Sequence, residues 1–257
     1  MKTAIVTGAS SGLGREFVRL LGSVFPEVER IWLIARRSNR LKVLAEELNA
    51  SDDLTPEVDC LPMDLCDPMS LLSLRERLAA ELPEVSLLIN CAGYGCLGPM
   101  GDTDTAVQTR MVDLNVRALT AITNMVLPYM DRGGHILNVS SIAAFCPTPR
   151  MTVYSATKAY VSAFTVGLSE ELRRRQISVT AVCPGPMETE FLKAGRIVGN
   201  SPMFERLPYC DQVRVAAGAL RAAKAGRTIY TPKLFYKFYR VLAKVTPVKL
   251  MVKFTKT

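Results

Sequence analysis

Tyr154 and Lys158 stand four positions apart in Tyr154-Ser155-Ala156-Thr157-Lys158. On a helix this spacing puts the phenol and the ammonium on one face, a turn apart. A phenol ionises near pH 10, and an adjacent cation stabilises the phenolate and brings its pKa toward working pH. Such a pair suits proton exchange with a ketone or an alcohol. Thirteen residues before Tyr154, Ser140-Ser141 closes an apolar run and offers hydroxyls to the same oxygen. The segment Thr7-Gly8-Ala9-Ser10-Ser11-Gly12-Leu13-Gly14 follows another apolar run and precedes a helical pattern. Glycines there allow a tight turn and close backbone approach, and the helix N-terminus presents free N–H groups and a positive dipole end to a pyrophosphate. At the end of the second apolar run, where a carboxylate would accept hydrogen bonds from an adenosine ribose, the chain has Ala35-Arg36-Arg37. Two guanidiniums suit a 2′-phosphate, which predicts NADP over NAD.

These groups need elements that bring them together. Apolar runs at 3–7, 30–35, 58–63, 85–90, 135–139, 178–183 and 227–230 read as strands. They alternate with stretches at 14–21, 40–48, 69–82, 105–130, 153–175 and 211–225 that carry apolar residues at helical spacing. Continuous rather than alternating apolar strands predict a parallel sheet with helices on both faces, a single-domain doubly wound α/β fold. Its carboxyl edge is where open sheets bind ligands, and Ser141 and the glycine-rich turn both fall there.

Composition narrows the function. The 257 residues are 49% hydrophobic and 22% charged, which excludes a disordered or collagen-like chain. Seven cysteines, an odd number with no C-x-x-C pair, point to neither a disulfide framework nor a zinc site, and no metal is expected. Cys91 and Cys96 receive no chemistry, and most cysteines read as small buried hydrophobes. The single histidine, His135, excludes sites built from several imidazoles and is expected at the surface. A strand pattern beginning at Thr3, and no apolar run long enough to cross a bilayer, predict a cytoplasmic protein. All 24 acidic residues lie at or before Asp211, whereas 11 of the 32 basic ones follow it. That asymmetry is unlike a nucleic-acid binder and marks the tail as distinct.

Together the motifs resemble the short-chain dehydrogenase/reductase family over residues 3 to about 230. T-G-x3-G-x-G appears as Thr7 to Gly14, and N-N-A-G as Asn90-Cys91-Ala92-Gly93 with its second Asn replaced. The helix Asn appears as Asn115, Y-x-x-x-K as Tyr154 and Lys158, and P-G-x3-T as Pro184, Gly185 and Thr189. The resemblance implies Tyr154 as general acid/base, Ser141 as hydrogen-bond partner of the substrate oxygen, and Lys158 as the group that lowers the Tyr154 pKa and holds the nicotinamide ribose. Asn115 would bind a water that links Lys158 to solvent. It also implies a cofactor contact by Gly8, Ser10, Ser11, Gly12, Leu13 and Gly14, by Asp64 and Leu65 at the adenine, and by Asn90, Ala92 and Gly93 along the ribose. Pro184, Gly185 and Thr189 would lie at the nicotinamide.

The resemblance further implies a mobile lid after Thr189, about residues 187–210. Here it offers Phe191, Leu192, Ile197, Met203, Phe204, Leu207 and Tyr209, which suits a fatty-acyl, steroid or bulky ketone substrate. Residues 1–231 thus form the catalytic unit, and 232–257 a basic amphipathic extension. Basic residues 233, 237, 240 and 244 share one face of the extension with apolar residues opposite, and Lys249, Lys253 and Lys256 continue the charge. Two placements follow: a helix on an anionic membrane surface, or one packed on its own subunit or a partner. Helices 105–130 and 153–175 resemble those forming family interfaces, so a homodimer or homotetramer is expected. The expected activity is NADP(H)-dependent interconversion of a carbonyl and a secondary alcohol. A catalytically silent NADP-binding scaffold is the alternative, disfavoured by the complete Asn115, Ser141, Tyr154 and Lys158 set. Epimerisation or dehydration on the same fold stays open.

Overall fold

The computed structural model describes residues 1–50, 56–197, 199–255 and 257. Strands without polar alternation are stable only when both faces are covered, and Ile5, Val6, Leu88, Ile89, Ile136 and Leu137 are wholly buried. They belong to β1 (Lys2–Thr7), β4 (Glu84–Asn90) and β5 (Met130–Val139), which with β2 (Arg30–Ala35), β3 (Glu57–Pro62), β6 (Ser178–Val182) and β7 (Ile229–Tyr230) form one sheet. All pairings are parallel, in the order β3-β2-β1-β4-β5-β6-β7. The order turns back between β1 and β4, so the crevice at their carboxyl ends is the position where such sheets bind ligands.

The helices are α1 (Gly12–Val24), α2 (Ser38–Asn49), α3 (Pro68–Glu81), α4 (Thr105–Val112), α5 (Leu119–Val126), α6 (Thr152–Glu171), α7 (Glu190–Ala194), α8 (Pro202–Arg206), α9 (Gln212–Lys224), α10 (Leu234–Val245) and α11 (Val248–Phe254). Helices α1, α2 and α9 cover one face through Phe17, Leu21, Leu41, Leu44, Val215 and Leu220. The other face is covered by α3, α5 and α6 through Leu74, Leu78, Ile122, Val126 and Leu168.

The helix expected over 105–130 is not continuous. A π-helical segment, Asp113–Ala118, separates α4 from α5, and a 3-10 turn at Leu127–Tyr129 ends the run. Pro128 in that turn has no N–H to continue an α-helix. The π segment contains Asn115, whose side chain reaches out of the helix to the loop after β4 and to α6. Such wide turns often mark functional positions.

The C-terminal extension folds back on the body. Tyr236 is wholly buried and its hydroxyl donates to the Pro208 carbonyl at 2.9 Å. Thr255 donates to the Pro147 carbonyl at 2.8 Å, and Arg150 to the Thr257 carbonyl at 2.8 Å. Lys256 lies outside the described residues. Among the described residues no helix is long and apolar enough to cross a membrane.

Candidate active site

A cleft of about 1070 Å³ runs along the carboxyl edge of the sheet, from Arg36 and Asp64 at one end to Met203 and Phe254 at the other. At the first end β1 turns through Gly8, whose φ is +71°, into α1. A Cβ on Gly14 would lie 2.2 Å from the Gly8 carbonyl oxygen, so only glycine permits helix and strand to meet there. Ser11 caps α1 without a side-chain hydrogen bond to the first-turn N–H groups, which leaves those donors to an anion. Arg37 reaches over this turn and donates to Ser10 Oγ and to Ser11 Oγ, the latter at 2.7 Å. Its Nη1 also donates to Glu190 Oε2 at 2.7 Å, while Arg40 donates to Glu190 Oε1 at 2.6 Å. Arg36 is exposed, lines the cleft and has no hydrogen-bonded partner among the described residues. Asp64 accepts from the Cys66 N–H and from Arg110, and these bonds hold its carboxyl below the usual range although burial opposes them. The uncapped helix start, the glycine cradle and the free guanidinium fit a dinucleotide carrying phosphate groups.

In the middle of the cleft, the first turns of α6 present Tyr154 and Lys158 against the end of β5. Lys158 Nζ donates to the Val139 carbonyl at 2.8 Å and lies 5.8 Å from the centre of the Tyr154 ring. The Ser141 side chain faces the phenol and favours its ionised form. The Ser141 oxygen accepts the Ala143 N–H at 3.1 Å, which orients the hydroxyl on the wall of the cleft. Ser140, by contrast, donates into α6 at the Lys158 carbonyl, 2.8 Å away, and is a positioning residue. Burial pushes the phenol up to about 12, against the opposing influence of Ser141. Burial also brings Lys158 down to about 8, because a charged ammonium loses solvation in the same apolar wall.

Two residues expected at the site stand behind it. Asn115 Nδ2 donates to the Tyr94 carbonyl at 2.9 Å and to Thr157 Oγ1 at 3.1 Å, while its Oδ1 accepts the Tyr94 N–H at 3.1 Å. It therefore clamps the loop after β4 to α6, directly under Gly93, where a Cβ would lie 2.9 Å from its Oδ1. Both amide protons are committed, which leaves only a lone pair on Oδ1 for a bridging water. Asn90 is buried, and its Nδ2 donates to Thr123 Oγ1 and to Asn138 Oδ1 at 2.9 Å each. Its side chain belongs to a polar ladder between strand and helices and is not part of the cleft wall. Gly8, Ser10, Ser11, Gly12, Leu13, Gly14, Arg36, Arg37, Asp64, Leu65, Ala92, Gly93, Ser141, Tyr154, Lys158, Pro184, Gly185 and Thr189 all line the cleft.

The far end is apolar. Phe191 packs on Tyr154 with ring centres 5.4 Å apart, and Leu192, Met203, Phe204 and Leu207 extend that wall. Ile197, itself part of the lid, is buried in a cluster with Leu97, Met151 and Leu192 and does not line the cleft. Sequence reasoning missed the opposite wall, built from the extension by Phe235, Tyr236, Tyr239, Leu242, Met251 and Phe254. It also missed Glu190, since nothing in the spacing tells which arginines a lid carboxylate will meet. His135 lies on β5 away from the cleft, half-buried against Phe25 rather than at the surface, and burial lowers its pKa. Cys91 lines the cleft, yet burial pushes its thiol up to about 12, so it is a poor nucleophile at neutral pH.

A model of the short chain dehydrogenase family matches residues 2–196. A short chain dehydrogenase of Pseudocercospora fijiensis is 34% identical over 213 residues, covering 80% of this chain and 67% of that protein. Among solved structures, a short-chain dehydrogenase from Sphingobium yanoikuyae in complex with NADPH aligns with a TM-score of 0.79 at 27% identity, over 96% of this chain and 97% of that one. The bulky-bulky ketone specific alcohol dehydrogenase from Comamonas testosteroni aligns at 0.76 and 26% identity, over 95% and 91% of the two chains.

Proposed function

This chain belongs to the short-chain dehydrogenase family, and from that premise we propose an NADP(H)-dependent oxidoreductase that interconverts a carbonyl and a secondary alcohol on a bulky, hydrophobic substrate. The observation that carries the reading is the placement of Tyr154, Ser141 and Lys158 between an anion-binding end with two arginines and an apolar end. Arg36 and Arg37 support NADP, and the NADPH held by the Sphingobium relative agrees with them. The aromatic and methionine walls support a bulky ketone, the class named for the Comamonas relative. Seven free cysteines support a reducing, cytoplasmic setting.

When bound, the nicotinamide supplies or accepts the hydride. Residues of the chain handle the proton. For reduction, Tyr154 donates from its O–H to the carbonyl oxygen, and a phenol pushed up to about 12 carries that proton throughout the neutral range. The Ser141 hydroxyl hydrogen-bonds the same oxygen, held for that task by the Ala143 N–H. Lys158, fixed by the Val139 carbonyl, stabilises the phenolate left behind. Asn115 keeps the loop after β4 against α6 so that these distances hold.

NADPH and NADH consumption over a panel of aromatic, steroid and fatty-acyl ketones tests the reading. Turnover should favour NADPH, and Tyr154→Phe should lower kcat by about 10³-fold while NADPH still binds. A Tyr154→Phe variant as active as the parent would end the proposed chemistry. Tight NADPH binding with no turnover on any ketone would favour the silent scaffold.

A further inference from the structure

We propose that the outward face of α10, continued by α11, docks on an anionic lipid surface. Leu234, Phe238, Val241 and Val245 recur at helical spacing along one line of α10 and are 80%, 67%, 57% and 74% exposed. On α11, Val248 and Phe254 are 56% and 80% exposed. The opposite side of α10 already holds the helix to the body through Tyr236 and Tyr239, so the stripe is not required for folding. A contiguous apolar surface of this kind on a folded chain needs a cover.

Charge selects the cover. Lys237 and Lys244 flank the stripe, Lys249 and Lys253 lie on α11, and no acidic residue follows Asp211. A second copy seated face to face on this stripe would bring two rows of lysines together with no carboxylate in the segment to pair them. Anionic headgroups pair those lysines while the phenylalanine, leucine and valine side chains enter the acyl boundary. The cleft opens within the same patch, because Phe235, Leu242 and Phe254 are exposed and also line it. A ketone dissolved in the bilayer would then enter from the surface on which the protein sits. That last step rests on the substrate reading above, whereas the docking does not.

Sedimentation of the full chain with phosphatidylcholine vesicles containing about a quarter phosphatidylserine tests the docking, with NADPH binding as the check on folding. The parent protein should sediment at low salt and lose about tenfold or more in affinity at high salt or with pure phosphatidylcholine. The exposed-site variant F238E/V245E should lose at least about tenfold in vesicle affinity and bind NADPH as the parent does. Absence of sedimentation at low salt, or equal sedimentation of parent and variant, overturns the proposal. A light-scattering mass that falls to one protomer in F238E/V245E also overturns it, by assigning the stripe to a second copy. Turnover enters none of these readouts, so loss of the ketone reading would leave the result standing.

Discussion

At the residue scale, one apolar wall sets the two central proton groups in opposite directions. Burial penalises the charged form, which for a phenol is the deprotonated state and for an ammonium the protonated one. Tyr154 therefore rises to about 12 and Lys158 falls to about 8 from 10.5. The sign for stability follows. Between pH 8 and 10.5 the unfolded chain holds a proton on Lys158 that the folded chain has released, so folding gains as pH rises through that window. Urea unfolding of the parent and of Lys158→Met at pH 8 and 9.5 should show the difference shifting toward the parent by about 2 kcal/mol. A difference that stays constant would mean that Lys158 keeps its ordinary pKa. The Y-x-x-x-K spacing placed the pair on one face, but burial, which decides the sign, comes from β5 and the lid.

At the element scale, α7 is tied across the nucleotide end of the cleft. Its first residue, Glu190, accepts from both Arg37 and Arg40, bonds that hold its carboxyl below the usual range. On the proposed NADP reading, a 2′-phosphate would compete with this carboxylate for the same guanidinium on Arg37. Glu190→Gln should tighten NADPH several-fold, the modest size reflecting exposed ion pairs, and leave NADH unchanged. Arg37→Ala should weaken NADPH by about tenfold. Fluorescence titration with each nucleotide measures both, and an unchanged NADPH affinity in Glu190→Gln would show that the phosphate does not meet Arg37. The glycine-rich turn and both arginines were legible in order along the chain. Glu190 was not, because it lies 153 residues from Arg37 and only the lid brings it there.

For the molecule as a whole, two of the apolar surfaces among the described residues bear on assembly. One is the α10 stripe, and the other includes Val112, Tyr160 and Val166, exposed by 43%, 38% and 46% on the α4 and α6 side. If the second surface is the subunit interface, static light scattering should give at least a dimer, and Tyr160→Glu with Val166→Glu should reduce the mass toward one protomer; a monomeric parent would contradict it. By itself the sequence determined the seven strands, the parallel doubly wound sheet, the glycine-rich turn after β1 and the gathering of Ser141, Tyr154 and Lys158 at one cleft. Those features depend on local periodicity and on short spacings that backbone geometry converts directly into position. Only the tertiary structure decided that Asn90 faces a buried ladder, that Asn115 clamps a loop, and that the extension closes the cleft with its tyrosines inward. An amphipathic pattern shows that two faces differ, but it does not say which one meets the body, because that depends on what surface the rest of the chain leaves beside it.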